Sequence, residues 1–147
     1  MTPSLIAALA FTLVSAADPV QGLSTRRDAA PSEVLITTLS DADIKAAKTL
    51  EHDTEVDRTE AVTVVVIMPT CEKDLGGACN ASSDIVVYAP DGKVHSEVKG
   101  VSLNAGRGTA ALKLAATSVT GVYRVVATVR DLNARRFGTT ERQFGVK

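Results

Sequence analysis

The chain of 147 residues is poor in aromatic side chains, which make up 3% of it, and it contains no tryptophan. Stacking platforms for sugar rings or nucleobases are therefore nearly absent. The formal net charge is −1, whereas binding to nucleic acid needs a basic field. We expect no nucleic-acid partner, and a core built from Val, Ala, Leu and Ile.

Long apolar runs are also scarce. The longest, Leu5 to Val14, has no charged residue and is followed by the small residues of "VSAAD". It reaches only about half of the ~20 apolar residues that a membrane-spanning helix needs, and no other segment approaches that length. The pattern is typical of an export signal, although no Lys or Arg precedes it and a buried N-terminal strand is the alternative.

These patterns divide the chain into three parts. We expect a signal peptide at 1–17, a flexible leader without periodicity at 18–32 and a single domain at 33–147. The predicted location is therefore outside the cytoplasm, in the periplasm or the extracellular space, with no transmembrane segment in the mature chain.

Cysteine is limited to Cys71 and Cys79, in the stretch "PTCEKDLGGACNAS". The spacing is not the C-x-x-C of a redox pair. Zinc needs four ligands, and although His52 and His95 would complete the number, their spacing is not that of a zinc finger. Two cysteines of an exported protein usually pair. We predict a disulfide, worth about 2.5 kcal/mol by the entropy of loop closure.

Motifs for catalysis are missing as well. The sequence has no G-x-S-x-G elbow, and "GRG" at 106–108 lacks the G-K-[ST] ending of a phosphate-binding loop. "SDAD" at 40–43 lacks the later ligands of a calcium loop. His52, in an acidic run, and His95, predicted to point outward from a strand, are interpreted as surface residues. We expect no catalytic residue, cofactor or metal; a metal-binding or enzymatic periplasmic protein using His52 and His95 is the alternative.

From Glu33 onward the pattern is mainly that of β-strands. Ser40 is placed to cap one short helix, and "DTEVDRTE" at 53–60 is interpreted as a charged connector. About seven strands are predicted, with turn residues between them, in "EVLITTL", "AVTVVVIM", "SDIVVYA", "KVHSEVK", "TAALKLA", "VYRVVATVRD" and "RFGTTERQFGVK". Such spacing predicts an all-β protein, an antiparallel sandwich of the immunoglobulin type.

Two positions within these strands carry more specific predictions. In "KVHSEVK" the alternation places Val94 and Val98 on the apolar face and His95 on the other, and Gly100 shifts the phase, which indicates a bulge. Tyr123 begins the penultimate strand directly after a turn. It is either a tyrosine corner, a feature of immunoglobulin-like folds, or an ordinary half-buried tyrosine.

The string "C…GGAC…DIVVYAPDGKV…GVYRVVATVRD…FGV" resembles small exported bacterial proteins with an immunoglobulin-like or macroglobulin-like sandwich. The resemblance covers roughly residues 62–147. It implies the fold and brings no established activity with it.

Charge is distributed unevenly along the chain. Residues 33–60 contain eight acidic and three basic residues, whereas 107–147 contain eight basic and two acidic residues. Either the two segments neutralise each other in the fold or they steer a partner. If the last two strands pair in a suitable register, a partner-facing basic strip is formed by Arg124, Arg130 and Arg142, with Arg135 and Arg136 at its turn.

The sequence therefore predicts a non-catalytic exported module that binds another envelope or extracellular protein, or serves as its accessory subunit. A further alternative is a pilin-like or chaperone-like module that exchanges its last strand, "RQFGVK".

Overall fold

The computed structural model describes residues 30–147, which form eight strands and one helix. In chain order the elements are β1 (Glu33–Thr37), α1 (Asp41–Ala46), β2 (Glu55–Val56), β3 (Val62–Ile67), β4 (Ala81–Tyr88), β5 (Val94–Ser102), β6 (Arg107–Leu112), β7 (Gly121–Asp131) and β8 (Arg136–Val146).

The strands form two sheets that pack face to face. One sheet has the order β1-β3-β6 and the other β2-β8-β7-β4-β5. All pairs are antiparallel except β2 with β8. The order is the Greek-key arrangement of an immunoglobulin-like sandwich, and the predicted fold class is confirmed.

Strand β3 is buried on both of its faces, as its unbroken β-branched sequence predicts. Val64 and Val66 face the core between the sheets. Val65 faces the other way, into a second small cluster with Leu35 of β1 and Ile44 of α1. The helix therefore covers the outer face of the three-stranded sheet. Its predicted N-cap is confirmed, because the Ser40 hydroxyl accepts a hydrogen bond from the Asp43 N–H at 3.2 Å.

The sequence prediction missed one strand. Glu55 and Val56, within the segment interpreted as a charged connector, pair parallel with Gly145 and Val146 of β8, and Val56 is buried. A pair of two residues is too short to show a period, and its partner is distant in the sequence. Strand β6 also begins at Arg107, two residues before the predicted strand "TAALKLA".

Strand β5 contains the bulge predicted at Gly100, whose φ is +71° and where the register with β4 shifts. A second shift at Val87 and Tyr88 reverses the phase at the start of β5. Val94 is therefore exposed, while the His95 ring turns inward against the Tyr123 ring. The prediction that Val94 is apolar-facing and His95 points outward was wrong.

The predicted signal peptide at 1–17, and the leader as far as residue 29, lie outside the described residues. The last leader residues, 30–32, are described. Ala30 is buried, and its backbone lies so close to Gly138 of β8 that a Cβ at Gly138 would sit 3.1 Å from the Ala30 carbonyl oxygen. Within residues 30–147, no helix has the length and apolar character needed to cross a membrane.

Candidate functional site

The loop between β3 and β4 is closed by a disulfide between Cys71 and Cys79, whose Cα atoms are 5.8 Å apart. Inside it, the Asp74 carboxylate accepts hydrogen bonds from the Gly76 and Ala78 N–H groups, both at 2.9 Å. The Asp74 N–H in turn donates to the Ala78 carbonyl at 2.9 Å. Short side chain-to-backbone bonds of this kind fix a turn locally. The tip of the loop is therefore held in one shape.

Leu75 lies at this tip and is fully exposed, with a relative accessibility of 109%. A neighbouring glycine, Gly77, takes a φ of +85°, which the turn requires and which side chains rarely adopt. The fixed backbone of this loop therefore holds an apolar side chain exposed to the exterior.

A second segment, the turn between β7 and β8, is joined to this loop by side chain-to-backbone bonds. The Asn133 amide donates to the carbonyls of Glu72 and Ala78, at 2.9 and 3.0 Å. The Leu132 N–H donates to the Asn80 carbonyl at 3.0 Å. The two segments are therefore bonded to each other at the same end of the sandwich.

Asp131 anchors this unit from beneath. Its side chain is wholly buried, and one carboxylate oxygen accepts from the Glu72 N–H at 3.0 Å and from the Arg136 guanidinium at 3.1 Å. Within residues 30–147, the other carboxylate oxygen and the Arg136 Nε have no hydrogen-bond partner. The Asp131 side chain is buried and that of Arg136 is 29% exposed, and the bonds of the Asp131 carboxylate to both segments set the loop relative to the turn.

We define the loop-end surface by four of the exposed residues that these two segments carry, Lys73, Leu75, Leu132 and Arg135; Glu72 is exposed beside them. Leu132 is 44% exposed. Arg135 takes a left-handed φ of +54°, which turns the chain into β8. The surface combines two apolar side chains with two cationic ones on a fixed backbone.

The structure divides the predicted basic strip. Arg124 and Arg130 lie on the outer face of the five-stranded sheet, but the register pairs Arg142 with Val125, whose side chain is in the core. Directly opposed residues of an antiparallel pair share a face. Arg142 therefore lies on the other face, and the register that the continuous strip required does not occur.

Four of the five arginines of that strip are also paired with carboxylates. The pairs are Arg124–Glu141 at 3.6 Å, Arg130–Asp84 at 2.8 Å, Arg136–Asp131 at 3.1 Å and Arg142–Glu33 at 3.1 Å. Arg124 also lies over the Tyr88 ring, with its Cζ atom 4.5 Å from the ring centre. No carboxylate of residues 30–147 pairs with Arg135, which leaves it as the member of the strip that carries an unneutralised charge outward.

The acidic N-terminal and basic C-terminal segments meet in the fold. Glu33 pairs with Arg142, and Glu55 pairs with Lys147 at 3.5 Å. The Arg107 guanidinium donates to the carbonyls of Ile44 and Lys48. The uneven distribution of charge along the sequence is thus partly cancelled in space.

The two histidines have structural neighbours. The His52 Nδ1 accepts from the Ile36 N–H at 3.1 Å, and its Nε2 lies 2.9 Å from the Gln143 carbonyl oxygen. The ring thereby joins β1 to β8 and carries its proton on Nε2. The His95 Nε2 lies 2.9 Å from the Lys113 carbonyl oxygen. The histidines have different neighbours from each other, and the cysteines are bonded to one another, so the four side chains are not gathered into one site.

Tyr123 forms a tyrosine corner, one of the two interpretations of its position in the sequence. Its hydroxyl donates to the Val119 carbonyl at 2.6 Å, four residues upstream, while the ring is buried between His95 and Phe144. Burial, and then the Asp91 carboxylate, raise the pKa of this phenol above its ordinary value. Of the two interpretations of this residue, the structure supports the corner.

Comparison with known proteins adds little to this picture. No family model and no curated protein sequence matches the chain. Among solved structures, it is similar to the crystal structure of an immunoglobulin-like protein from Pseudomonas aeruginosa, with 18% identity, 80% of this chain and 92% of that chain covered, and a TM-score of 0.44. The immunoglobulin-like fold is assigned from the strand order and pairing of the chain itself.

Sequence reasoning located the disulfide and named Arg135 as partner-facing, but it missed Lys73, Leu75 and Leu132. A leucine between Asp74 and two glycines, inside a predicted disulfide loop, was an available signal for an exposed tip. No sequence signal marks the hydrogen bonds of Asn133 and Asp131 to the disulfide loop, because the residues that they bind there are 55 to 61 positions away in the chain.

Proposed function

We propose that this protein is an exported, non-catalytic immunoglobulin-like module of the bacterial envelope that binds another protein through its loop-end surface. One observation carries the proposal: Leu75 is fully exposed on a loop fixed by a disulfide, by its own Asp74 and by Asn133. The charged strip on the outer sheet face is a weaker candidate, because Arg124 and Arg130 are both paired with carboxylates.

A fixed loop supports binding for an entropic reason. Ordering a loop on association costs about 0.5–1.5 kcal/mol for each side chain immobilised, and here the ordering is complete before a partner arrives. An exposed leucine on such a loop gains about 1.5–3 kcal/mol when a partner's pocket buries it. Loops at the corresponding end of immunoglobulin variable domains are the binding loops of those domains.

The charges of the surface indicate the chemistry of the partner. Arg135 and Lys73 are cationic and outnumber the exposed Glu72, whereas the Asp74 carboxylate is already engaged by the backbone of its own loop. The partner surface expected from these features is an apolar pocket for Leu75 with carboxylates at its rim.

Site-specific photo-crosslinking in the envelope of the native host tests the proposal. A photoreactive amino acid replaces Leu75 in one variant and Val119 in a matched control. Val119 is 59% exposed and lies two residues before β7, at the end of that strand opposite the loop-end surface. We expect a discrete crosslinked protein from position 75 and none from position 119.

Two substitutions then separate the surfaces. Both are made in a protein that carries the photoreactive amino acid at Leu132. Leu75→Asp should abolish the crosslink from that position, and the double charge reversal of Arg124 and Arg130 should leave it intact. Loss of the crosslink in the charge-reversed protein alone would move the binding site to the outer sheet face. No crosslink at either loop position would overturn the proposal.

A further inference from the structure

In the part of the chain that the structure describes, residues 30–147, the sheet edges are covered or interrupted with one exception. The outer edge of β1 is covered by residues 52–53, since Ile36 N–H donates to His52 and Asp53 N–H donates to the Ile36 carbonyl. Strand β5 is interrupted by two register shifts. Strand β6 has only six residues. Bulges, covering segments and short length are the usual ways in which proteins prevent edge-to-edge association.

The exception is β8. It has eleven residues and an uninterrupted register with β7, while on its other side β2 pairs only with Gly145 and Val146. The stretch from Arg136 to Arg142 contains no proline and no bulge. Among the residues from 30 to 147, no strand therefore covers this edge over about seven residues.

The hydrogen bonds at the covered end show which backbone groups point outward. The Gly145 N–H donates to Thr54 and the Lys147 N–H to Val56, and the Gln143 carbonyl lies against His52. Because backbone groups alternate in direction along a strand, those of residues 137, 139 and 141 point the same way.

Phe137, Thr139 and Glu141 are all exposed. No hydrogen bond from elsewhere in residues 30–147 reaches their outward N–H and C=O groups. The outward backbone N–H and C=O groups of these three residues can therefore pair with another strand.

We propose that a second copy of this chain occupies this edge, with two β8 strands paired antiparallel about a two-fold axis at Thr139. Two features limit the edge and set this register: the Gln143 carbonyl, which is bound by His52, and the left-handed backbone of Arg135. In it, Phe137 faces Glu141 of the second copy, Thr139 faces itself, and Arg136 faces Arg142. All three outward-facing residues of each strand are used.

The neighbouring registers fit less well. Shifting the axis toward the C-terminus would pair Phe137 with Gln143, whose carbonyl is already bound by His52. Shifting it the other way would bring in Arg135, which has a left-handed φ and is not in a strand. The axis at Thr139 alone lies between these limits.

The charges also permit this dimer. Arg136 and Arg142, which face each other across the axis, are each paired within their own subunit, with Asp131 and Glu33. A pair of threonines at the centre is a favourable cross-strand combination. The two five-stranded sheets would become one continuous sheet joined by backbone hydrogen bonds.

Because Thr139 faces itself, a charge placed there tests the symmetry directly. Thr139→Lys and Thr139→Glu each bring two like charges together, and each should raise the dimer dissociation constant by at least about tenfold. An equimolar mixture of the two should form a dimer that contains one chain of each. The matched control is Thr128→Lys, which adds the same charge at an exposed position directly opposite Thr139 on β7, away from the edge.

The measurement is native mass spectrometry and sedimentation equilibrium on the exported, processed chain, with circular dichroism to show that each variant is folded. We expect a dimer for the wild type and for Thr128→Lys, monomers for each Thr139 variant, and the mixed dimer on combining them. A monomeric wild type at all concentrations, or a mixture that stays monomeric, overturns the proposal. A monomer that instead captures an unrelated strand would assign the edge to another partner.

This inference is independent of the loop-end surface. Leu75→Asp leaves the β8 edge unchanged, so that variant should remain dimeric while losing its envelope crosslink. The two proposals can therefore fail separately.

Discussion

The Arg130 guanidinium binds the Asp84 carboxylate with two hydrogen bonds, at 2.8 and 3.1 Å, on the outer face of the five-stranded sheet. The Gly100 N–H, at the bulge of β5, donates to the same carboxylate at 3.0 Å. The arginine bond first, and then the backbone bond, lower the pKa of Asp84 from 3.8 to about 2. The same pairing raises the pKa of Arg130.

Asp84 should therefore contribute to acid sensitivity. A carboxyl group whose pKa is lowered by folding stabilises the protein above its unfolded pKa, and this stabilisation is lost as the pH falls through the folded value. The window is from pH 3.8 down to about 2. Since both side chains are partly exposed, solvent screening reduces the nominal effect to about 1 kcal/mol.

Urea unfolding at a series of pH values measures this contribution. Asp84→Asn should be less stable than the wild type at neutral pH and should lose less stability across the acid window. The control is Glu141→Gln, which removes a more exposed pair at 3.6 Å from Arg124 and should follow the wild-type curve. Parallel curves for the wild type and Asp84→Asn would contradict the assignment.

Tyr123→Phe should lower the free energy of unfolding by about 1–2 kcal/mol, because the substitution leaves the Val119 carbonyl without its 2.6 Å hydrogen bond while the ring stays in place. The matched control is Tyr88→Phe, which keeps its ring beneath Arg124 and should change stability by less than about 0.5 kcal/mol. Chemical denaturation of both variants checks the difference. Equal effects would argue against the tyrosine corner as a stabilising element.

His52→Ala should cost about 2 kcal/mol, since it removes two hydrogen bonds that join β1 to β8 and leaves the groups of Ile36 and Gln143 unpaired. Gln143→Ala provides the control, because it keeps the backbone carbonyl that His52 binds and alters only an exposed side chain. Urea denaturation of the two variants measures the effect. A His52→Ala protein as stable as the wild type would show that this link contributes nothing.

Replacing both Cys71 and Cys79 by serine should destabilise the protein by about 2.5 kcal/mol, the entropy of closing so short a loop. Unfolding experiments with and without reductant measure this. The reductant should lower the stability of the wild type to that of the double variant and leave the variant unaffected. The prediction would be contradicted if the mass of the wild-type protein showed that its disulfide was reduced while its free energy of unfolding stayed the same.

Local patterns accounted for most of the fold. Alternation identified β7 and β8, unbroken β-branched sequence identified β3 as buried on both faces, and Ser40 marked the start of α1. Each of these signals arises from neighbours within a few residues. The errors fell where distant contacts decide the outcome: β2 forms only because β8 is beside it, and the start of β5 changes phase at a bulge against β4.

The sequence by itself determined that the chain forms a β-sandwich with a disulfide loop and a valine-rich core, because hydrophobic period and turn chemistry are local properties. Only the tertiary structure decided which arginines share a face, since one residue of register moves a side chain to the opposite side of a sheet. It also decided that Asn133 and Asp131 fix the disulfide loop, and that no strand within residues 30–147 covers β8 between Arg136 and Arg142. These features depend on bonds between residues far apart in the chain, for which the linear sequence carries no period.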